Sequence, residues 1–387
     1  MAEKRALMLA SVASMIDQFN IPNIQLLQKI GYKVDVVADF TNPGTITNER
    51  AKDLKEQLNK INVEVIDVAI PRSINPKLIF EAYRGIRVLI ESKHYDLIHC
   101  HSPIGGAVCR IAAKSERKRG TKIIYTAHGF HFYKGAPLKN WLLFYPVEKL
   151  CSYWTDVLIT INTEDYELAE RNFAADKIKY VPGVGVDIVK FKNIRIDRQK
   201  KRALLNISDD IIVLLSVGEL NVNKNHQIVL KALAKLNDKK IHYVIAGEGI
   251  QREYLVSLAS KLGISSQLHL LGYRRDVPEL CQITDMYILP SIREGLNVSV
   301  MEAMASGLPC LIARIRGNTD LIDEGKGGFL FNPLSIDDVS KAIEKALIID
   351  KIKFGAYNTK KIEKFSTKMV NKIMYDIYQE IGAGNSK

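Results

Sequence analysis

Two successive trains of short apolar runs, each alternating with segments of helical spacing, constrain this chain more than any other feature of its sequence. In the first half the β-rich runs cover residues 5–10, 33–38, 63–68, 96–99, 122–126 and 156–160. Between them fall amphipathic patterns such as Ile24-Leu27-Ile30 and Ile79-Tyr83-Ile86-Leu89-Ile90. Strands buried on both faces read as continuous apolar runs, and intervening helices let neighbouring strands lie parallel. The alternation therefore predicts a parallel sheet covered on both sides. The rhythm breaks at the polar, basic stretch FKNIRIDRQKKR and restarts with runs at 211–217, 242–246, 267–270, 286–290 and 309–313.

A chain of 387 residues, 47% of them hydrophobic, holds more than one compact core normally organises. The expected fold class is α/β, with two Rossmann-like doubly wound domains facing each other across a cleft. A first domain is expected over residues 1–190, a linker over 191–202, a second domain over 203–365, and a terminal helix over 366–387 packing back toward the first domain. The final GAGNSK is expected to be disordered. In doubly wound sheets ligands settle at the carboxyl ends of the strands, so chemistry-bearing residues belong just after strands.

The net charge of +12 favours an anionic partner, and nucleotide diphosphates, lipid headgroups and nucleic acid all qualify. Nucleic acid fits least, because no motif interleaves aromatic and basic residues. Cys100, Cys109, Cys151, Cys281 and Cys310 are odd in number, scattered and free of any C-x-x-C pair. That pattern argues for a reducing compartment and against disulfides or a zinc site. The opening MAEKRALMLASVASM lacks a cleavage site and reads as a buried first strand. No later stretch nears the roughly 20 apolar residues that span a bilayer. The expected location is cytoplasmic, with any membrane contact peripheral and on the inner face. The run RIAAKSERKRGTK (110–122) carries six basic residues and one acid. A solvated helix end and a contact with an anionic membrane surface are its two readings. Trp141, Leu142, Leu143, Phe144 and Tyr145 would add an apolar contact unless they are buried in the core.

The most informative segment is MYILPSIREGLNVSVMEAMASGLPCL (286–311), where a strand ends at Pro290, a loop carries Arg293-Glu294-Gly295, and a helix begins near Asn297. A helix N-terminus offers unpaired N–H groups and positive dipole, which suits a diphosphate, and Gly295 lets the backbone come close. Carboxylates at Glu294 and Glu302 then suit sugar hydroxyls. An exposed loop charge and a helix-surface residue are the ordinary fates of two such glutamates, but the helix around Glu302 is apolar on every side.

The run E-G-L-N-V-S-V-M-E-A-M-A-S-G-L-P resembles the E-x7-E signature of glycosyltransferase family 4, retaining transferases of the two-domain GT-B fold. The resemblance extends to Ser216-Val217-Gly218, I-A-G-E-G (245–249), L-G-Y-R-R-D-V (271–277) and R-G-N-T-D (316–320). It implies that Glu302 holds the nucleotide ribose and that Glu294 contacts the transferred sugar. The amides of Gly295, Leu296 and Asn297 would lie near sugar and diphosphate, with the backbone of Tyr273 and Arg274 edging the base. Lys224 would neutralise the leaving diphosphate beside Gly218. One position departs from the family: Gly218-Glu219-Leu220-Asn221-Val222-Asn223-Lys224 has an acid where the family commonly has arginine. Either Glu219 points away, with Arg293 or Arg274 supplying charge, or the site is weakened.

In KIIYTAHGFHFYKGAPLKNWLLFYPVE (122–148), His128-Gly129 directly follows a strand, resembling the family's T-x-H-G segment, whose histidine faces the donor sugar. The longer string around His131 resembles bacterial capsule and exopolysaccharide glycosyltransferases, implying a lipid-linked saccharide acceptor. On the acceptor side, Asp17 and Asn20 follow the first strand, and Asp17 is the one retained. His99 and His101 have an H-x-H spacing without a third ligand nearby, and no Asp-x-Asp pair is present, so no metal and no cofactor are expected. The resemblance implies retaining transfer from a UDP-hexose or UDP-N-acetylhexosamine to a lipid-linked saccharide in surface polysaccharide synthesis. His128, Lys224 and Glu294 are the expected catalytic residues. A sugar-nucleotide epimerase of the same fold and a catalytically weak partner subunit are the alternatives.

Overall fold

The computed structural model describes residues 3–192 and 194–383. Residues 384–387 of the GAGNSK end, and Asn193 of the expected linker, lie outside the described residues. The chain forms two compact units, Met1–Val184 with Val370–Lys387, and Gly185–Met369.

The first unit is built on β1 (Lys4–Val12), β2 (Tyr32–Asp39), β3 (Glu64–Asp67), β4 (Leu97–His101), β5 (Lys122–Ala127), β6 (Val157–Thr160) and β7 (Lys177–Tyr180). They lie in the order β3-β2-β1-β4-β5-β6-β7, every pair parallel. The second unit carries β8 (Ile212–Val217), β9 (Ile241–Ala246), β10 (Leu268–Leu270), β11 (Met286–Leu289), β12 (Cys310–Ala313) and β13 (Gly328–Phe331). Their order is β10-β9-β8-β11-β12-β13, again parallel throughout. Alternation of side chains explains why each sheet is covered twice. Along β1, Ala6, Met8 and Ala10 enter one core cluster while Leu7 and Leu9 enter another. On β11, Tyr287 and Leu289 face one cluster, and Met286 and Ile288 the other.

All the strands expected from apolar runs are present, and the structure adds β7 and β13, each at one edge of its sheet. KIKY alternates charge with apolar residues, and GFLF is short and opens on glycine, so neither forms a long apolar run.

The expected linker is not one. The chain passes between units at Val184/Gly185 and Met369/Val370, and the basic stretch is folded into the second unit. Its helix Arg198–Leu204 is capped by Asp197, which accepts from the Lys200 amide at 3.0 Å. Arg202 is buried, donating to the carbonyls of Ile283 and Ile211 and to Asp285 at 2.8 Å. Its charge is therefore spent internally, which composition cannot distinguish from a solvated linker. The C-terminal helix Thr367–Ala383 places Val370, Met374, Ile377, Tyr378 and Ile381 in the core of the first unit.

Each sheet has one point where strand order reverses direction: between β1 and β4 in the first unit, and between β8 and β11 in the second. Loops leaving those strands at their carboxyl ends diverge and leave a crevice.

Candidate active site

In the second unit the crevice is formed by residues 218–225 after β8 and 290–297 after β11. Asn225 takes up the left-handed conformation, φ +54°, and its side-chain amide donates to the carbonyls of Pro290 at 3.3 Å and Pro333 at 2.8 Å. Asn223 donates to the Arg293 carbonyl at 2.9 Å and accepts from the Ile292 amide at 2.8 Å. The two loops are thus stitched together before any ligand arrives. The helix Val298–Ala305 starts from Asn297, whose side chain accepts from the Val300 amide. Ser299 ties this start to the end of β8, its hydroxyl 3.0 Å from the Val217 carbonyl and 2.6 Å from the Tyr287 hydroxyl.

This scaffold brings Lys224 Nζ within 2.7 Å of Glu294 Oε1, with side chains only 17% and 14% exposed. A Cβ on Gly218 would stand 3.2 Å from Lys224 Cε, so glycine leaves room for the lysine stem. The amides of Gly295, Leu296 and Asn297 make no hydrogen bond among the described residues. Beside them is Arg316, the first residue of R-G-N-T-D, for which the sequence implied no role of its own. Its buried guanidinium lies 3.4 Å from the Glu294 carbonyl through both Nε and Nη2. Gly317 makes this approach possible: at φ +78°, any Cβ would sit 1.9 Å from the Gly295 carbonyl oxygen.

Glu302 lies one turn into the helix, half-buried, and its carboxylate makes no hydrogen bond among the described residues. Burial pushes it up to about 7, with Lys190 pulling the other way. Tyr273 is exposed, and its amide is 3.4 Å from Glu248 Oε1. Arg274 is engaged elsewhere, donating to both oxygens of Asp276 at 2.7 and 2.5 Å. Glu219 is exposed, and its carboxylate accepts from the Asn221 side chain at 2.9 Å.

In the first unit His128, just past β5, places Nε2 3.0 Å from Nδ1 of His101 at the end of β4, whose Nε2 is 3.3 Å from Met8 Sδ. A thioether sulfur can only accept. His101 is therefore protonated on Nε2 and accepts at Nδ1 from His128, which leaves His128 Nδ1 as a lone pair. Burial lowers His128 to about 4 and holds His101 well below its ordinary value, so both are neutral near pH 7. His99 commits Nδ1 to the Tyr378 hydroxyl and Nε2 to Thr126 Oγ1, each at 2.8 Å.

His128 and His131 line one cavity of about 410 Å³ with Ser11, Ser102, Arg72 and Phe144. Asp17 is not among its lining residues; Arg50 donates to its two oxygens at 3.1 and 2.5 Å. Asn20 lines a smaller cavity that also touches His101 and His128. Trp141, Phe144 and Tyr145 pack into the core, whereas Leu142 and Leu143 are exposed.

The family described as Glycosyl transferases group 1 matches residues 197–361, and that described as Glycosyl transferase 4-like matches residues 8–162. The Bacillus subtilis (strain 168) protein EpsD is 34% identical over 381 residues, covering 97% of this chain and 96% of its own. An Escherichia coli protein named UDP-Gal:alpha-D-GlcNAc-diphosphoundecaprenol alpha-1,3-galactosyltransferase is 29% identical, covering 66% of this chain and 67% of its own. Among solved structures, an Anabaena protein in complex with UDP superposes with a TM-score of 0.76 at 19% identity, covering 97% of this chain and all of that one. That likeness speaks for the fold. The 4-like stretch contains His101 and His128, and the group 1 stretch contains Lys224, Glu294, Glu302 and Arg316.

Proposed function

The chain belongs to the GT-B glycosyltransferases with group 1 and 4-like domains, and on that premise we propose that it transfers a sugar from a UDP-hexose or UDP-N-acetylhexosamine to a lipid-linked saccharide, with retention of anomeric configuration. The observation that carries this reading is the Lys224–Glu294 pair, 2.7 Å apart at the strand-order reversal of the second unit, beside three amides that are unbonded among the described residues. A cation and free amides suit a diphosphate, and a carboxylate alongside them suits the hydroxyls of the attached sugar.

In this reading Glu294 occupies Lys224 while the site is empty. A donor diphosphate shares the lysine, and Glu294 turns an oxygen to the sugar. The bond from the anomeric carbon to the diphosphate breaks as Lys224, Arg316 and the amides of Gly295, Leu296 and Asn297 take up the developing charge. The acceptor hydroxyl attacks the same face and gives its proton to a departing phosphate oxygen. Glu302 accepts from the ribose hydroxyls, the backbone near Tyr273 and Arg274 edges the base, and His128 and His131 line the acceptor's cavity.

UDP and a lipid-diphosphate acceptor are supported by the printed name of the E. coli relative and by the UDP in the Anabaena complex. Such an acceptor places the enzyme at the inner membrane surface; no described helix is long and apolar enough to cross a membrane. Against the weak-subunit alternative, Glu219 is bonded to Asn221 and Arg316 brings a cation to the Glu294 loop. The test is a panel of UDP-, GDP- and ADP-sugars with a polyprenyl-diphosphate saccharide, the product's anomeric configuration being read by NMR. Inversion would refute the mechanism, and turnover of donor without acceptor would favour epimerisation.

A further inference from the structure

We infer that the outward side of the helix Leu138–Ser152 is a docking surface for an anionic lipid bilayer. The helix is apolar on two opposite sides. At about 100° per residue, Trp141, Phe144, Tyr145, Glu148 and Cys151 fall on one half of its circumference, and Leu138, Leu142, Leu143, Val147 and Leu150 on the other. The first set packs inward. The second is open, with Leu138 73%, Leu142 68%, Leu143 52% and Leu150 53% exposed. A helix apolar all round belongs between a core and a second apolar phase, and a contiguous exposed apolar face marks an interaction site.

Charge selects that phase. In residues 131–155 the acid is Glu148, which is buried and spent on Arg110 at 2.6 Å. Lys134, Lys139 and Lys149 of the same stretch are exposed. Of the basic run, Arg110, Arg117, Arg119 and Lys122 are paired with Glu148, Asp156 and Asp176, Glu116, and Asp156, but Lys114 lies 4.5 Å over the Trp154 ring and adds a lysine near the end of the helix. Leucines that reach the acyl boundary, with lysines among and around them at headgroup depth, have the make-up of an interfacial helix. A second copy of the chain fits less well. In a two-fold contact through this side, Lys139 and Lys149 would face like charges with no exposed acid in the stretch to answer them.

The inference deepens the membrane side of the proposed function but rests on this surface alone, so its test uses neither donor nor acceptor. The full chain is sedimented with vesicles of phosphatidylglycerol mixed with phosphatidylcholine, and with phosphatidylcholine alone. Wild type is expected to partition onto the anionic vesicles. Combined Leu142→Ser, Leu143→Ser and Leu150→Ser lowers partition at least about tenfold. Lys139→Glu with Lys149→Glu lowers it at least about 30-fold and removes most of the preference for anionic lipid. Both variants keep wild-type circular dichroism and UDP-sugar affinity in solution, which separates this surface from the donor site and from misfolding. Wild type that ignores anionic vesicles, or a leucine variant that binds like wild type, overturns the inference. A dimer seen by light scattering and dissolved by the leucine substitutions would overturn it too, assigning the face to a second copy.

Discussion

The two crevices, alike in topology, are furnished in opposite ways. In the second unit the loops after β8 and β11 carry charge: a lysine on a glutamate, a buried arginine against the loop backbone, and amides unbonded among the described residues. In the first unit Met8 on β1, His101 on β4 and His128 just past β5 are all neutral at pH 7, and the charge in the lining of the cavity that His128 shares is the exposed Arg72. One parallel scaffold thus serves two tasks. A leaving diphosphate needs fixed positive charge, while an attacking hydroxyl needs a site that orients it without trapping its proton.

The sharpest way to break this contrast is Lys224→Ala. Removing the cation is expected to lower kcat by about 10²–10³-fold, the range for losing one pre-placed donor to a developing anion. Lys224→Arg should retain more activity, because it keeps charge in altered geometry. Circular dichroism and single-turnover kinetics would check both. A near-wild-type rate for the alanine variant would mean that charge in this crevice is not what drives departure of the leaving group.

Next in size is the behaviour of Glu302. Its carboxyl is raised to about 7 in the empty site, so it is mostly protonated below that pH and ionised above. Ribose hydroxyls donate best to the ionised form. Donor affinity is therefore expected to rise through pH 7, by about tenfold between pH 6 and pH 8 if binding returns the group to its ordinary range. UDP-sugar is the right probe because its diphosphate does not titrate there. Calorimetry should find weaker and nearly pH-independent binding in Glu302→Gln. By the same linkage, the empty protein loses the stability associated with protonated Glu302 as pH rises from about 4.5 through 7, and saturating donor restores it.

On the neutral side, Met8→Leu removes the acceptor that sets the His101 tautomer. Nitrogen-15 NMR should then show His101 and His128 exchanging tautomers, with kcat lowered only severalfold and the donor dissociation constant unchanged. His128 titrates near 4, so no inflection from it is expected between pH 5 and pH 8. A change in donor affinity would place this histidine pair on the wrong side of the comparison.

Much of this was legible in the sequence, and the charged crevice more so than the neutral one. Apolar runs gave away the interior strands, because burial on both faces leaves a contiguous signal, and also the edge strands β3 and β10. Glu294, Gly295, Asn297 and Glu302 lie on one short loop and helix, where local geometry implies a ligand. What escaped depends on pairs distant in sequence. His101 meets Met8 over a separation of 93 residues, Arg50 takes Asp17 over 33, and Arg316 reaches Glu294 over 22. Arg202 appeared as one more charge in a basic linker because its partners lie up to 83 residues away. The helix Leu138–Ser152 left two readings open for a related reason: a helix apolar on two sides has a composition that fits both a core and a surface contact.

The smallest effect is expected at Glu219, the position that departs most visibly from the family. Its side chain is exposed and accepts from Asn221, whose own oxygen accepts from the Lys224 amide at 2.9 Å. Glu219 therefore acts on the clamp through the shape of this turn and through weak, solvent-screened charge. Glu219→Arg is expected to change kcat/KM less than about threefold at physiological salt, and more at low salt, where screening is weaker. Glu219→Gln keeps the bond to Asn221 without the charge. If it matches wild type at both salt concentrations, the turn is what matters; if it matches the arginine variant, charge is. A gain of tenfold or more in the arginine variant at physiological salt would show that the crevice is short of a cation and that Arg316 does not replace the missing one.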